Sequence, residues 1–217
     1  MPLAMTLPMP EIVSKGGPMM YFILACSVVA LAVVIERMLR LYSVRTDEER
    51  FTNQLKTLIG DDNILGSVEL CENTTGPVAR VCKMGLLKHD RSKAEIKEAI
   101  EDAAVHEIPA LEKRLPVLAT IAHISPLLGL LGTVLGMIKA FHKIQELTSA
   151  GRPVDPGQLA EGIWEALITT AFGLLVAIPV FVAYNYLVSR VDGVVTDMER
   201  TATDLVNLLD QRRERVG

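Results

Sequence analysis

The chain has 217 residues, half of them hydrophobic and 22% charged, with a formal net charge of -4. A mean hydropathy of +0.32 beside that many charges requires apolar and charged residues to be segregated along the chain, which excludes an ordinary soluble domain. The small net charge singles out no partner, and no basic-aromatic patch suits nucleic acid.

The first uncharged stretch runs from Gly16 to Ile35. We read 1–17 as an extracytoplasmic N-terminal segment and 18–35 as transmembrane helix 1. No small-x-small cleavage site follows, and the stretch runs directly into Glu36-Arg37, so it reads as an uncleaved anchor. Residues 36–114 then form a cytoplasmic helical segment. Thr46-Asp47 opens a short helix that Gly60 closes, and Gly76-Pro77 opens another through Leu87. Ser92-Lys93-Ala94-Glu95 is a capping box. After it Ile96, Ile100, Ala104, Ile108, Leu111, Leu115 and Leu118 recur at helical spacing. This helix is expected to continue to Phe141, kinked at Pro109 and Pro116.

Within it, Leu115 to Ile138 is 24 residues without Lys, Arg, Asp or Glu, and is transmembrane helix 2 at 115–138. A short extracytoplasmic loop and helix start follow at 139–163, with Asp155 as N-cap and Pro156 at the first helical position. Transmembrane helix 3 spans 164–189, where Ala166 to Ser189 is a second uncharged run of 24. The cytoplasmic C-terminal helix is 190–217. Its Val191, Val195, Met198, Ala202, Leu205 and Leu209 form a heptad-like stripe. About 20 apolar residues at roughly 1.5 Å rise cross a hydrocarbon core of about 30 Å, so three spans are the plain reading. Helices of roughly 75 and 80 Å would reach far into the cytoplasm. Two arrangements would cover their stripes: one intramolecular helix pair, or a homo-oligomeric ring of subunits with a helical vestibule. The fold class is all-α integral membrane protein.

Charge sets the orientation. Of 22 Lys and Arg, one precedes span one, thirteen lie between spans one and two, three between spans two and three, and five follow span three. By the positive-inside rule the 36–114 segment and the tail face the cytoplasm and the N-terminus lies outside. Cys26 lies in span one, and Cys71 and Cys82 fall in a compartment that disfavours disulfides; they match no zinc spacing and read as structural. No metal or cofactor site is expected. No nucleophile–base pair or phosphate loop is present, so an enzyme is not expected either.

Polar groups inside lipid are the first functional candidates. Span two carries Thr120, His123, Ser125 and Thr133; span three carries Thr169, Thr170 and, at its outer edge, Glu165. Rise arithmetic puts Thr133 about 9 Å and Thr170 about 7–8 Å outside the mid-plane, at nearly one level on antiparallel helices. Facing one cavity, they would form a polar belt that holds water or relays protons. A membrane Thr also commonly bonds only its own preceding turn, and Glu165 suits an interfacial position equally well. His123 reads as a packed neutral histidine rather than a proton relay. Gly129, Gly132 and Gly136, with Gly173 and Ala177, allow close helix packing, and Pro126 and Pro179 introduce kinks. Neither uncharged run holds a carboxylate or Lys, so a proton carrier would have to come from a partner.

At these residues the chain resembles the MotA/TolQ/ExbB proton-channel family. The likeness is carried by Gly16-Gly-Pro with Ala30-Leu-Ala-Val-Val-Ile-Glu-Arg37, by the stretch from Leu115 with Pro126-Leu-Leu-Gly-Leu-Leu-Gly-Thr-Val134 at its core, and by Gly162 to Asn185. The resemblance implies that Thr133 and Thr170 are pore threonines and that Glu165 is the acidic residue opening the third helix. Thr169, His123 and Ser125 would be pore-adjacent; His123 and Ser125 depart from the Asn and Ala common in relatives. It further implies a ring, typically a pentamer, in the bacterial inner membrane around an ExbD/TolR-like single-span protein whose Asp carries the proton. Such a stator would act with a TonB-like or Tol-Pal component. Three spans favour ExbB or TolQ over MotA; the ExbB role is the first choice, with a TolQ-like stator or a non-conducting membrane scaffold whose cytoplasmic helices recruit partners as the alternatives.

Overall fold

The computed structural model describes residues 16–43, 48–153 and 156–216. Within them all regular structure is helical, in seven helices: α1 Gly17–Ser43, α2 Glu48–Gly60, α3 Ile64–Asn73, α4 Pro77–Leu87, α5 Lys93–Glu112, α6 Leu115–Ser149 and α7 Pro156–Val216. The expected Thr46-Asp47 start and the Asp155 N-cap lie outside the described residues. The helices gather into two compact units. One holds residues 16–35 with Pro116–Asn185; the other holds Glu36–Leu115 with residues 186–216.

Three stretches, Gly17–Leu41, Lys93–Ser149 and Leu159–Glu214, are long and apolar enough to cross a membrane. They contain the three expected spans. The first unit presents an apolar exterior that water would not tolerate: Tyr21, Phe22, Val28, Leu31, Leu127, Leu167 and Leu175 are all largely exposed. Met20 on α1 packs on Ile168 of α7, with Leu24 and Phe172 closing around them.

The second unit has a buried core of its own. Phe51, Leu55, Ile59, Cys71, Val81, Cys82, Leu86, Ile96 and Ile100 are buried. So are Val191, Met198, Ala202, Leu205 and Leu209 of the heptad-like stripe, so a single chain already covers most of it. The intramolecular arrangement therefore accounts for the stripe, which gives no support of its own to a ring. Lys56–Asp204 (2.6 Å), Lys93–Asp210 (2.8 Å) and an Arg212–Asp62 pair tie the α7 surface to α2, α5 and the α2–α3 turn.

Two expectations need correction. The helix from Ser92 is not continuous to Phe141. The capping box forms as expected, with Ser92 Oγ accepting from the Glu95 N–H and Glu95 reaching back to the Ser92 N–H. Pro109 is carried within α5, but the chain breaks after Glu112, Arg114 turns left-handed (φ 68°), and α6 begins at Leu115 and runs on to Ser149. Pro116 explains the position. In an unbroken helix it would strip the Glu112 carbonyl of its partner and clash with it, whereas in the first turn of α6 its missing N–H is not needed. Second, α3 is an additional helix, opened by Asn63, whose side chain accepts from the Gly66 N–H at 2.9 Å.

Candidate functional site

The first unit holds the polar residues that sequence singles out, and Ser125, Thr169 and Thr170 among them lie along a seam between α6 and α7. The seam is narrow because glycines line it. A Cβ on Gly129 would sit 2.9 Å from the Thr170 Cα, one on Gly136 would sit 3.0 Å from the Ala166 Cβ, and one on Gly173 would sit 2.6 Å from the Ser125 carbonyl oxygen. At Gly132 a Cβ would overlap the Thr169 hydroxyl. Gly162 continues the contact: a Cβ there would sit 2.8 Å from the Ala140 Cβ. Backbones this close maximise dispersion contact and leave no room for larger side chains.

The hydroxyls behave differently from one another. Thr170 Oγ1 donates across the seam to the Gly129 carbonyl at 2.9 Å. Thr133 Oγ1 donates within its own helix to the Leu130 carbonyl at 2.6 Å, as Thr120 does to Pro116 at 2.8 Å. Thr169 is buried, bonded to the Ala166 carbonyl at 2.8 Å, and fills the space that Gly132 leaves. Thr170 and Thr133 are both half-buried, so each keeps an accessible side. Ser125 is fully buried and its hydroxyl has no partner among the described residues.

His123 lies off the seam on the exposed side of α6. Its Nδ1 is 2.6 Å from the Ala119 carbonyl, to which a proton on Nδ1 would donate, and its ring meets Phe181 edge-on at 6.4 Å between centroids. Pro126 and Pro179 both lie inside their helices.

Glu165 lies toward the end of the seam nearest the 149–156 connection. Its Oε1 is 2.7 Å from Lys139 Nζ on α6 and occupies the space that a Cβ on Gly17 would need. Gly17 opens α1 with φ 63°, a conformation that glycine adopts without strain. In the sequence Lys139 is one of the three basic residues between spans two and three. The signal for its role lay in the antiparallel register of the seam, which brings 139 opposite 165.

Among the described residues no group of three or more His, Cys, Asp or Glu could hold a metal. Cys71 and Cys82 are buried thiols; burial pushes the Cys71 thiol up to about 12 and Cys82 further still, so neither is a nucleophile at neutral pH. Arg80 and Glu107 form a two-bonded pair at 2.6 Å that stitches α4 to α5.

The model of the MotA/TolQ/ExbB proton channel family matches residues 73–200. The chain is 32% identical over 205 residues to the Tol-Pal system protein TolQ of Haemophilus influenzae, covering 88% of this chain and 86% of that one. It is 26% identical over 201 residues to the biopolymer transport protein ExbB of Neisseria meningitidis, covering 87% and 90%. A Methanothermobacter thermautotrophicus protein named as an ExbB homolog is 28% identical over 190 residues; the match covers 87% of this chain and 66% of that protein.

Proposed function

The chain belongs to the MotA/TolQ/ExbB proton channel family, and from that premise we propose that it is the ring-forming subunit of an ExbB-like stator driven by the proton motive force. The α6–α7 seam forms one wall of the ion pathway. Thr170 and Thr133 supply hydroxyls, Glu165 supplies a carboxylate toward the outer end, and Thr169, Ser125 and His123 lie beside the path. The three spans sit in the bacterial inner membrane with the N-terminus outside, and the second unit lies in the cytoplasm.

The observation that carries this reading is the polar seam between the charge-free stretches of α6 and α7. Hydroxyls can pass a proton along water but cannot hold its charge through a cycle. Neither the 115–138 nor the 166–189 run contains a carboxylate or Lys. The pathway is therefore completed by a partner, an ExbD/TolR-like single-span protein carrying a membrane Asp, enclosed by several copies of this chain. In that assembly the motion driven by proton passage energises TonB-dependent outer-membrane transport.

Native mass of the complex purified from its own membranes tests the assembly. Five copies with two of a small single-span protein bearing a membrane Asp are expected; a monomer, or a homo-oligomer with no such partner, leaves the pathway without a proton carrier and refutes the reading. Thr170→Val and Thr133→Val should then leave the complex assembled and abolish proton-driven function, and full activity in both removes the pore assignment. The 32% identity to TolQ favours a second reading, a stator of Tol-Pal envelope maintenance. A deletion strain separates the two: failure to take up TonB-dependent substrates supports the ExbB role, and a leaky outer membrane with normal uptake supports the TolQ role.

A further inference from the structure

Glu165 has two neighbours that a pathway lined by hydroxyls does not require. One is the Lys139 ammonium, 2.7 Å from Oε1. The other is the first turn of α1, where the same oxygen fills the place of a side chain on Gly17. The first turn of a helix carries N–H groups without intrahelical acceptors and the positive end of the helix dipole, so it favours a carboxylate. Further along α1, Met20 packs on Ile168 of α7. The carboxylate is thus held between an ammonium on α6 and the start of α1, at a point where three helices meet. The neighbouring cation on α6, Lys143, is turned to Glu146 at 3.0 Å instead.

Building on the ion-pathway reading above, we infer that Lys139 is a positioning residue for Glu165: it fixes the carboxylate against the first turn of α1 and so presents it to the pathway in one orientation. The geometry argues against a purely stabilising pair. The Lys139 side chain is 54% exposed, and an ion pair open to solvent on one side adds little to stability. What the contact does supply is orientation, because a glutamate at the end of a seam has three rotatable bonds and no other side chain gripping it among the described residues. Gly17 is part of the same device, since any larger residue there would push the carboxylate off the helix start.

The test uses the full chain, in the complex as purified from its membranes, with Lys139→Met, Lys139→Arg and Glu165→Gln compared with the parent. Proton flux into vesicles is one readout. The second is acrylamide quenching of Trp164, the single tryptophan of this chain and the residue beside Glu165, measured on the chain alone. Lys139→Met should lower flux at least tenfold per assembled complex and change the quenching constant about twofold, with Lys139→Arg restoring both and thermal unfolding little changed. Parental flux and quenching in Lys139→Met, while Glu165→Gln abolishes flux, overturn the role of Lys139 and leave the pathway standing. Parental flux in Glu165→Gln overturns the place of Glu165 in the pathway itself, and the inference with it. A Lys139→Met loss that only tracks lost complex, with quenching unchanged, reduces the pair to a structural contact and also overturns the inference.

Discussion

Replacing Gly173 by alanine probes the tightest main-chain approach along the seam. The new Cβ would lie 2.6 Å from the Ser125 carbonyl oxygen and 3.2 Å from the Gly129 Cα. Both atoms belong to helical backbone, so no rotamer change relieves the contact. Restoring a separation of about 3.5 Å means parting α6 from α7 by roughly 0.9 Å at this level. Overpacking of this kind costs about 1–3 kcal/mol. The same displacement stretches the 2.9 Å bond from Thr170 to the Gly129 carbonyl beyond useful range, a further loss of about 1 kcal/mol. Alanine recovers about 1 kcal/mol of helix propensity, leaving a net destabilisation of about 1–3 kcal/mol. Gly193, on the same helix, is the control, because a Cβ there meets nothing within 4 Å. Gly193→Ala keeps only the propensity gain and should stabilise by up to about 1 kcal/mol. The two variants are compared by thermal unfolding of the purified chain in bilayer nanodiscs, followed by helical circular dichroism. Transitions that move in the same direction by the same amount would refute the close seam.

Three further outcomes follow from the second unit and the end of α1. Ser92→Ala removes the hydroxyl half of the α5 capping box and should cost about 1 kcal/mol, seen as a lower thermal midpoint. Cys71 and Cys82 should resist maleimide at neutral pH until the unit unfolds, because burial keeps both protonated. Their folded-state values are raised, so this contribution is intact below the unfolded value near 9 and is lost as pH rises toward 12, at a little over 1 kcal/mol per pH unit per thiol; midpoints of Cys71→Ala,Cys82→Ala should fall less steeply over that window. Arg37 is buried, with Nε and Nη2 unpartnered among the described residues and Nη1 a long 3.4 Å from the Ala110 carbonyl, so Arg37→Met should hold or raise the midpoint while Arg37→Ala lowers it by leaving a cavity.

Most helices were legible because their punctuation is chemical. Gly76-Pro77, Gly60 and the Ser92–Glu95 box fall where the structure starts or stops a helix. The helix that went unread, α3, has punctuation of its own: Asp62 turns left-handed and Asn63 caps, but its ten residues are too few for an apolar period to stand out. The break before α6 was also written in the chain, as a proline two residues beyond it. A kink and a break share that signal, and what separates them is whether the neighbouring residue can take a left-handed turn, as Arg114 does. The heptad-like stripe shows the opposite limit. Spacing reveals that a face will be buried and is silent on what buries it, so one chain and a ring are equally readable until α2, α4 and α5 are seen against α7.

The same distinction explains the site. Rise per residue fixes the level of a side chain in a helix but not its azimuth, so Thr133 and Thr170 could be placed at one depth without knowing which of them crosses the seam. The glycines resolve this once they are read as pairs. Gly129 lies against Thr170, Gly132 against Thr169, Gly136 against Ala166, and Ala140 against Gly162, each step up α6 matching a step down α7. In that register Thr170 points at a carbonyl of the other helix, and Lys139 arrives beside Glu165. The seam therefore sets both the hydroxyl that bridges the helices and the charge pair at their end, which is why a methyl group at Gly173 and a lost ammonium at Lys139 should both disturb ion passage, the first by parting the helices and the second by freeing the carboxylate.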